Sequence, residues 1–295
     1  AAGLIALADL KTPGYRIALK GTSSFLDALF LVPGIHCQRY VSNVNGAEYP
    51  ATGAMTTGYV FRTENEATVY YLQRVGLPGH LVTLEVLPTA PKPALFSKDA
   101  LVRALYLVGI VSTLAVTLCL YQIQDLWGLY VVAMLITARL LNILVIKRRS
   151  KLGWKGAPEP GVKGDLLILL SQDRWVRMRG LVDDLKTVTS GSWMREETTV
   201  ESFFVNVGTI LVYASPAVAV NASAAGGLLI GSLLLITLAL LGLCNALTET
   251  QHMFGRTLRI VEPPKKYRRR LDLVEELVKV SGRNDWAIGM GMIVP

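Results

Sequence analysis

Two observations predict an α+β membrane protein: four long apolar runs arrive in two pairs, and the basic residues avoid the short loop inside each pair. The expected fold has four transmembrane helices in two antiparallel hairpins. It adds a cytoplasmic antiparallel β-rich domain assembled from the N-terminal region, the middle segment and a C-terminal amphipathic helix. Along the chain this gives a β-rich region with short helices at 1–98, a first hairpin at 99–147 and a β-hairpin with a helix at 148–200. A second hairpin follows at 201–248, and the tail at 249–295 carries the amphipathic helix.

The runs are Leu101–Leu120, Leu126–Ile146, Phe203–Val220 and Ala224–Leu247. Each is near the roughly 20 residues that cross about 30 Å of hydrocarbon as a helix. A mean hydropathy of +0.41 and 18% charged residues argue against a soluble helix pair, which would show a polar face. The loops Tyr121–Asp125 and Ser215–Ser223 hold no Lys or Arg. Residues 1–100 carry eight basic residues, 147–200 eleven and 248–295 nine, with Arg103 and Arg139 besides. This asymmetry predicts that both end segments and the middle one are cytoplasmic; which membrane the chain occupies is left open, with the plasma membrane slightly favoured. The clusters Lys147, Arg148, Arg149 and Lys151, and Lys265, Lys266, Arg268, Arg269 and Arg270, are expected to meet anionic phospholipid headgroups. Juxtamembrane bias explains the net charge of +8 without nucleic acid, for which no recognition motif exists.

Leu4–Leu10 is short and lacks the basic residues and cleavage site of a signal peptide. Ser23–Ile35, broken by Asp27, is too short to span and reads as an interfacial, packing or re-entrant helix ended by Pro33-Gly34. From Gly58, three strands are expected, at Gly58–Arg62, Ala67–Arg74 and His80–Leu87, because β-branched and aromatic runs alternate with turn residues. Asp165–Leu170 and Trp175–Met178 add a hairpin across the four-residue loop Ser171–Arg174, with Trp175, Arg177 and Arg179 on a polar face. A two-stranded hairpin alone is marginal, so all five strands should share one sheet. Pro88–Pro93 predicts a stiff linker and Gly153–Lys163 a flexible one. After Pro263-Pro264, Tyr267, Leu271, Val274 and Val278 fall at helical spacing, predicting an amphipathic helix to Val280 that packs on the sheet or lies on the membrane.

Within the spans, Ser223, Gly227 and Gly231 recur every four residues, and Gly242 with Ala246 repeats the interval. Such spacing lets a second backbone approach, either the third span or another copy of the chain. Arg139 stands eight positions before Lys147, roughly 12 Å inside the boundary at 1.5 Å per residue, with no Asp or Glu in any run to neutralise it. It either snorkels or joins Asn142, Asn206 and Thr209 around a polar cavity, a lipid headgroup or an anion path. Cys37, Cys119 and Cys244 show no paired spacing, and His36, His80 and His252 are isolated. Disulfides, a metal site and a catalytic Cys-His pair are therefore not expected, and no cofactor is implied. Asp183-Asp184 and Glu196-Glu197 read as solvated charge, and Asn221-Ala-Ser223, though a glycosylation triplet, sits too tightly in a loop.

Gly164–Trp193 (GDLLILLSQDRWVRMRGLVDDLKTVTSGSW), the two spans after it and Arg268–Leu277 (RRRLDLVEEL) resemble uncharacterised four-pass membrane proteins of filamentous fungi. The resemblance covers the second half of the chain and implies a membrane protein without implying an activity. The reading that needs no chemistry is a non-catalytic, self-assembling homo-oligomer acting as a membrane scaffold or organiser. The alternatives are an anion-leaning channel or transporter subunit with a path near Arg139, and a membrane-bound lipid-modifying enzyme.

Overall fold

The computed structural model describes residues 5–88 and 98–294 and, of residues 38–40 and 42, the backbone alone. The chain forms two compact units, one of residues 1–41, 92–151 and 194–248, the other of residues 42–91, 152–193 and 249–295.

The first unit is helical. A short helix, α1 (Thr12–Lys20), precedes four helices long and apolar enough to cross a membrane: α3 (Lys98–Gln122), α4 (Leu126–Arg149), α6 (Thr199–Ala219) and α7 (Ala224–Leu247). Residues 1–41, read from sequence with the β-rich region, group instead with these helices. Helix α4 packs closely on α6, where a Cβ at Gly208 would stand 3.2 Å from the Ala138 carbonyl oxygen. Helix α7 packs on α3, and Cys244 Sγ lies 3.6 Å from the Val102 carbonyl. A core of Leu31, Ile35, Leu120, Val131, Leu135, Val212, Ile230 and Leu234 closes the unit.

Segment 23–35 does not form the single helix expected. Ser24 caps a 3-10 turn at Phe25–Leu29, with the Asp27 carboxylate accepting from the Ser24 N–H at 2.7 Å. Phe30, Leu31 and Val32 then run buried among the long helices. Irregular backbone in such surroundings needs its polar groups satisfied. Span side chains do this: Asn142 Nδ2 donates to the Ile35 carbonyl at 3.2 Å and Thr237 Oγ1 to the Leu31 carbonyl at 2.5 Å. Phe30 lies against Gly109 so closely that a Cβ there would stand 2.2 Å from its ring.

The second unit is a sheet covered on both faces. Its strands are β1 (Ala51–Ala54), β2 (Val60–Arg62), β3 (His80–Leu87), β4 (Lys163–Leu170), β5 (Arg174–Leu181), β6 (Gln251–Met253), β7 (Arg256–Ile260) and β8 (Lys265–Lys266). The order is β2-β1-β4-β5-β3-β7-β6, with β8 also on β3, so all three segments of the unit contribute to one sheet. It is mixed and not wholly antiparallel, because β3 and β5 run parallel from Leu81↔Trp175 to Glu85↔Arg179. The β4–β5 hairpin is as expected except that Arg174 pairs with Leu170, leaving three loop residues, two of them (Gln172, Asp173) at positive φ.

Three expectations are corrected here. Ala67–Arg74 belongs to helix α2 (Glu66–Val75), with Asn65 Oδ1 accepting from the Thr68 N–H at 3.0 Å. Burial of Ala67, Val69, Tyr71 and Leu72 together with this cap overrides the β propensity of the run. The β5 face bearing Trp175 and Arg177 is covered as well, since Trp175 joins Met55, Leu167, Leu273, Leu277 and Trp286 in a core. That core comes from helices α8 (Arg270–Ser281) and α9 (Asp285–Gly289), which lie on this face, while Val82, Leu84, Ile168, Val176 and Met178 alternate to the other. Finally, α8 buries Leu273, Val274 and Leu277, whereas Leu271 is exposed and Tyr267 precedes the helix. The remaining helix of the unit, α5 (Val182–Thr189), follows β5. Beyond Pro88, the proline-rich linker lies outside the described residues.

Candidate functional site

The polar group with least precedent in a helical membrane unit gathers around Arg139. Helix α1 carries Arg16 and Lys20 four residues apart, hence on one face, and ends at Gly21 in the left-handed conformation. The 3-10 turn then supplies Asp27, helix α3 supplies Tyr106 and α4 supplies Arg139. Asp27 and Arg139 are each 5% exposed. Asp27 Oδ2 is held by the Ser24 amide, and Oδ1 accepts from the Tyr106 hydroxyl and stands 3.8 Å from Lys20 Nζ. Arg139 Nε reaches the Asp27 carbonyl at 3.5 Å. Tyr106 stacks on Phe30 at 5.0 Å and offers its other face to Lys20, 4.6 Å from the centroid, with the Arg16 guanidinium at 5.9 Å. Arg16 Nη1 donates to Thr248 Oγ1 at 2.9 Å. Burial holds both Arg16 and Lys20 below their ordinary basic range, opposed in each by the Asp27 charge.

The acid missing from the four apolar runs thus comes from outside them. Arg16, Lys20 and Asp27 were legible as residue types, an i,i+4 basic pair and a charge breaking an apolar stretch. Their meeting with Arg139 depends on packing more than a hundred residues apart in sequence.

The residues expected to accompany Arg139 do not converge on it as a set. Asn142 is spent on the Ile35 carbonyl, Thr209 Oγ1 donates to Val205 in its own helix at 2.9 Å, and Asn206 is exposed beside Thr198, Ser202 and Phe203. Of the small residues on α7, Gly231 is buried, while Gly227 and Gly242 would find nothing within 4 Å of an added Cβ and Ala246 is exposed. Ser223 has a different task. Asp125 Oδ1 accepts from the Gly128 N–H at 2.9 Å, and Oδ2 accepts from the Ser223 N–H at 2.9 Å and its hydroxyl at 2.6 Å. One carboxylate therefore caps α4 and ties it to the start of α7.

The basic clusters divide similarly. Lys147 Nζ lies 4.8 Å over the Phe25 ring and 3.4 Å from the Ser23 carbonyl, while Arg148 and Lys151 are exposed. Arg149 is buried against Glu197 at 2.9 Å and the Arg195 carbonyl at 2.8 Å. Lys265 binds Glu276 and Arg270 binds Asp173, leaving Lys266, Arg268 and Arg269 exposed without an ion pair among the described residues.

Reactive chemistry is sparse. Cys37 Sγ donates to Asp9 at 2.9 Å, and burial, then that hydrogen bond, pushes the thiol up to about 12, so it stays protonated and a poor nucleophile. Asp184, read as solvated, is buried and paired with Arg256. Among the described residues no three His, Cys, Asp or Glu side chains cluster as metal ligands would. No family model matches the chain, and neither does any curated protein or solved structure with which it was compared.

Proposed function

We propose that the chain is an integral membrane protein that self-associates through the outward face of α7 and serves as a non-catalytic scaffold carrying its α/β unit. The observation that carries this reading is a seven-residue repeat: Ala225, Ser232, Ala239 and Ala246 are all small and all exposed, with Gly242 beside them. Lipid places no premium on small side chains, whereas a second helix backbone does, because close approach supplies the van der Waals contact that replaces hydrophobic drive. Leu228, Leu235, Ile236 and Leu243 are exposed between these small residues, whereas the exposed faces of α3 and α6 carry Leu107, Val111 and Leu118, and Phe203, Ile210 and Tyr213, without such a repeat. The distribution of Lys and Arg favours the cytoplasm for the three segments that share the sheet.

Native mass in mild detergent and in lipid nanodiscs tests this. A homo-oligomer is expected, and Ala239→Leu with Gly242→Leu should shift it toward monomer without lowering the protomer's melting midpoint, since a Cβ at Gly242 meets no neighbour. A monomer at every concentration in several detergents overturns the proposal.

A further inference from the structure

We propose that the helical unit holds a single dehydrated monoatomic anion, of the chloride class, in the cavity between Arg16, Lys20, Tyr106 and Arg139. The proposal does not depend on self-association.

Charge is the first argument. Arg16, Lys20 and Arg139 line one cavity with Asp27, Lys20 facing its carboxylate and Arg139 its backbone carbonyl, and among the described residues no other carboxylate lines that cavity. Residues 1–4, 38–40, 42, 89–97 and 295 contain no acidic side chain that could make up the difference. Loss of the Lys20 proton would not balance the cluster either. Two guanidiniums remain, and guanidiniums keep their charge in proteins. A water molecule would satisfy donors yet leave the buried Arg139 and the half-buried Arg16 with one carboxylate between them, whereas an anion answers both needs.

Donors are the second argument. Arg16 Nε is buried and has no hydrogen-bond acceptor among the described residues. The Lys20 ammonium carries three N–H donors; the Asp27 carboxylate stands at 3.8 Å, beyond hydrogen-bond length, the Tyr106 ring face lies 4.6 Å away, and the side chain, 32% exposed, is only partly withdrawn into the unit. Size is the third. The cavity measures about 10 Å³ and is lined otherwise by Ile17, Phe30, Val32 and Leu241. That is room for about one water-sized particle; chloride, somewhat larger, enters as the flexible Lys20 side chain gives way, whereas phosphate, sulfate or a lipid headgroup is excluded. The bound ion joins α1 to α4 and so fastens the N-terminal segment among the spans.

The experiment uses the full chain in detergent, exchanged into gluconate and titrated at constant ionic strength with chloride, with gluconate and inorganic phosphate as controls. A saturable rise in melting midpoint in the millimolar range, together with chloride-specific broadening of the chlorine NMR line, is expected. Phosphate should give neither. Lys20→Met and Arg16→Met should each weaken the apparent affinity by about tenfold or more, because each removes one near charge from a poorly solvated site. The line broadening reads binding directly, so a variant with lowered stability still reports. The proposal is overturned if chloride acts no differently from gluconate, if the response never saturates, or if both variants bind chloride as the parent does.

Discussion

The α/β unit pairs its charges one to one, whereas the cluster around Arg139 does not, although the helical unit also holds the matched pair Arg149 and Glu197. On the sheet, ions come in matched pairs: Arg177 with Asp165, Arg256 with Asp184, Arg259 with Glu85 and Arg174 with Glu48. Strand register arranges one of them, since Glu85 lies directly opposite Arg259, and it also sets Arg179 opposite Asp165, 3.8 Å from its carboxylate. In the helical unit, the half-buried Arg16 and Lys20 and the buried Arg139 gather around Asp27. A sheet brings opposite charges together by alternation and pairing. Helices bring them together only by packing, and here packing leaves positive charge in excess.

The largest effect should therefore follow from removing Asp27. Asp27→Ala leaves three cations without their carboxylate and frees the Ser24 amide and the Tyr106 hydroxyl. The expected loss is ~3–5 kcal/mol, read as a lowered melting midpoint or failed assembly in detergent. Asp165→Ala should cost about 1–2 kcal/mol, because water reaches that carboxylate, whose side chain is 20% exposed. Double variants sharpen the contrast. Asp165→Leu with Arg177→Leu should cost less than the sum of its singles, since neither charge is stranded. Asp27→Ala with Lys20→Met should remain severely destabilised, because Arg16 and Arg139 persist. Wild-type stability in that second pair would show that Lys20 alone is Asp27's partner and would erase the difference between the units.

The same contrast governs what could be read from sequence. The four spans were legible because their signal is composition over some twenty residues, which tertiary contacts do not alter. The β4–β5 hairpin was legible because its apolar runs flank a polar loop. Helix α2 was not, because its β-branched and aromatic residues carry strand propensity and only Asn65 marks the start. The phase of α8 is hidden for a related reason. Counting from Tyr267 placed Leu271 inward, whereas the helix begins at Arg270 and buries Leu273, Val274 and Leu277. At the site, Arg139 was legible as an anomaly in an apolar span. Its partners were not, since nothing local to Asp27 says that segment 23–35 threads among the long helices.

Capping extends the comparison at an intermediate size. In the α/β unit, Asn65 caps its own helix, and Asn65→Ala should cost about 1 kcal/mol. In the helical unit, Asp125 serves two helices at once, accepting from Gly128 on α4 and twice from Ser223 at the start of α7. Asp125→Ala should cost about 2–3 kcal/mol, more than an ordinary cap, because it also leaves the Ser223 groups unpaired. Ser223→Ala should lose only part of this, since the amide–carboxylate bond survives. Equal melting midpoints for Asp125→Ala and Ser223→Ala would mean that the carboxylate matters only through the hydroxyl.

The smallest expected effect lies in the α/β unit and depends on pH. Glu48 accepts from the Ser171 N–H at 2.7 Å and from Gln73 Nε2 at 2.5 Å, with Arg174 at 3.8 Å. Partial burial alone would raise its carboxyl. The hydrogen bonds from Ser171 and Gln73, with the Arg174 charge, outweigh burial and hold it below the ordinary carboxylate value. A depressed value in the folded state means that the stabilisation is fully present above the ordinary pKa, about 4.3, and is lost as pH falls through the folded value. Glu48→Gln should thus cost about 1 kcal/mol at neutral pH and flatten the acid limb of the unfolding curve. In a Trp127→Phe background, which removes the tryptophan of the helical unit, fluorescence of the buried Trp175, Trp193 and Trp286 reads the transition of the α/β unit. If parent and variant stay parallel down to pH 3, the Ser171 and Gln73 bonds do not distinguish the charged carboxylate from the neutral one. The matched ions of the sheet would then be as indifferent to solvent acidity as an apolar core.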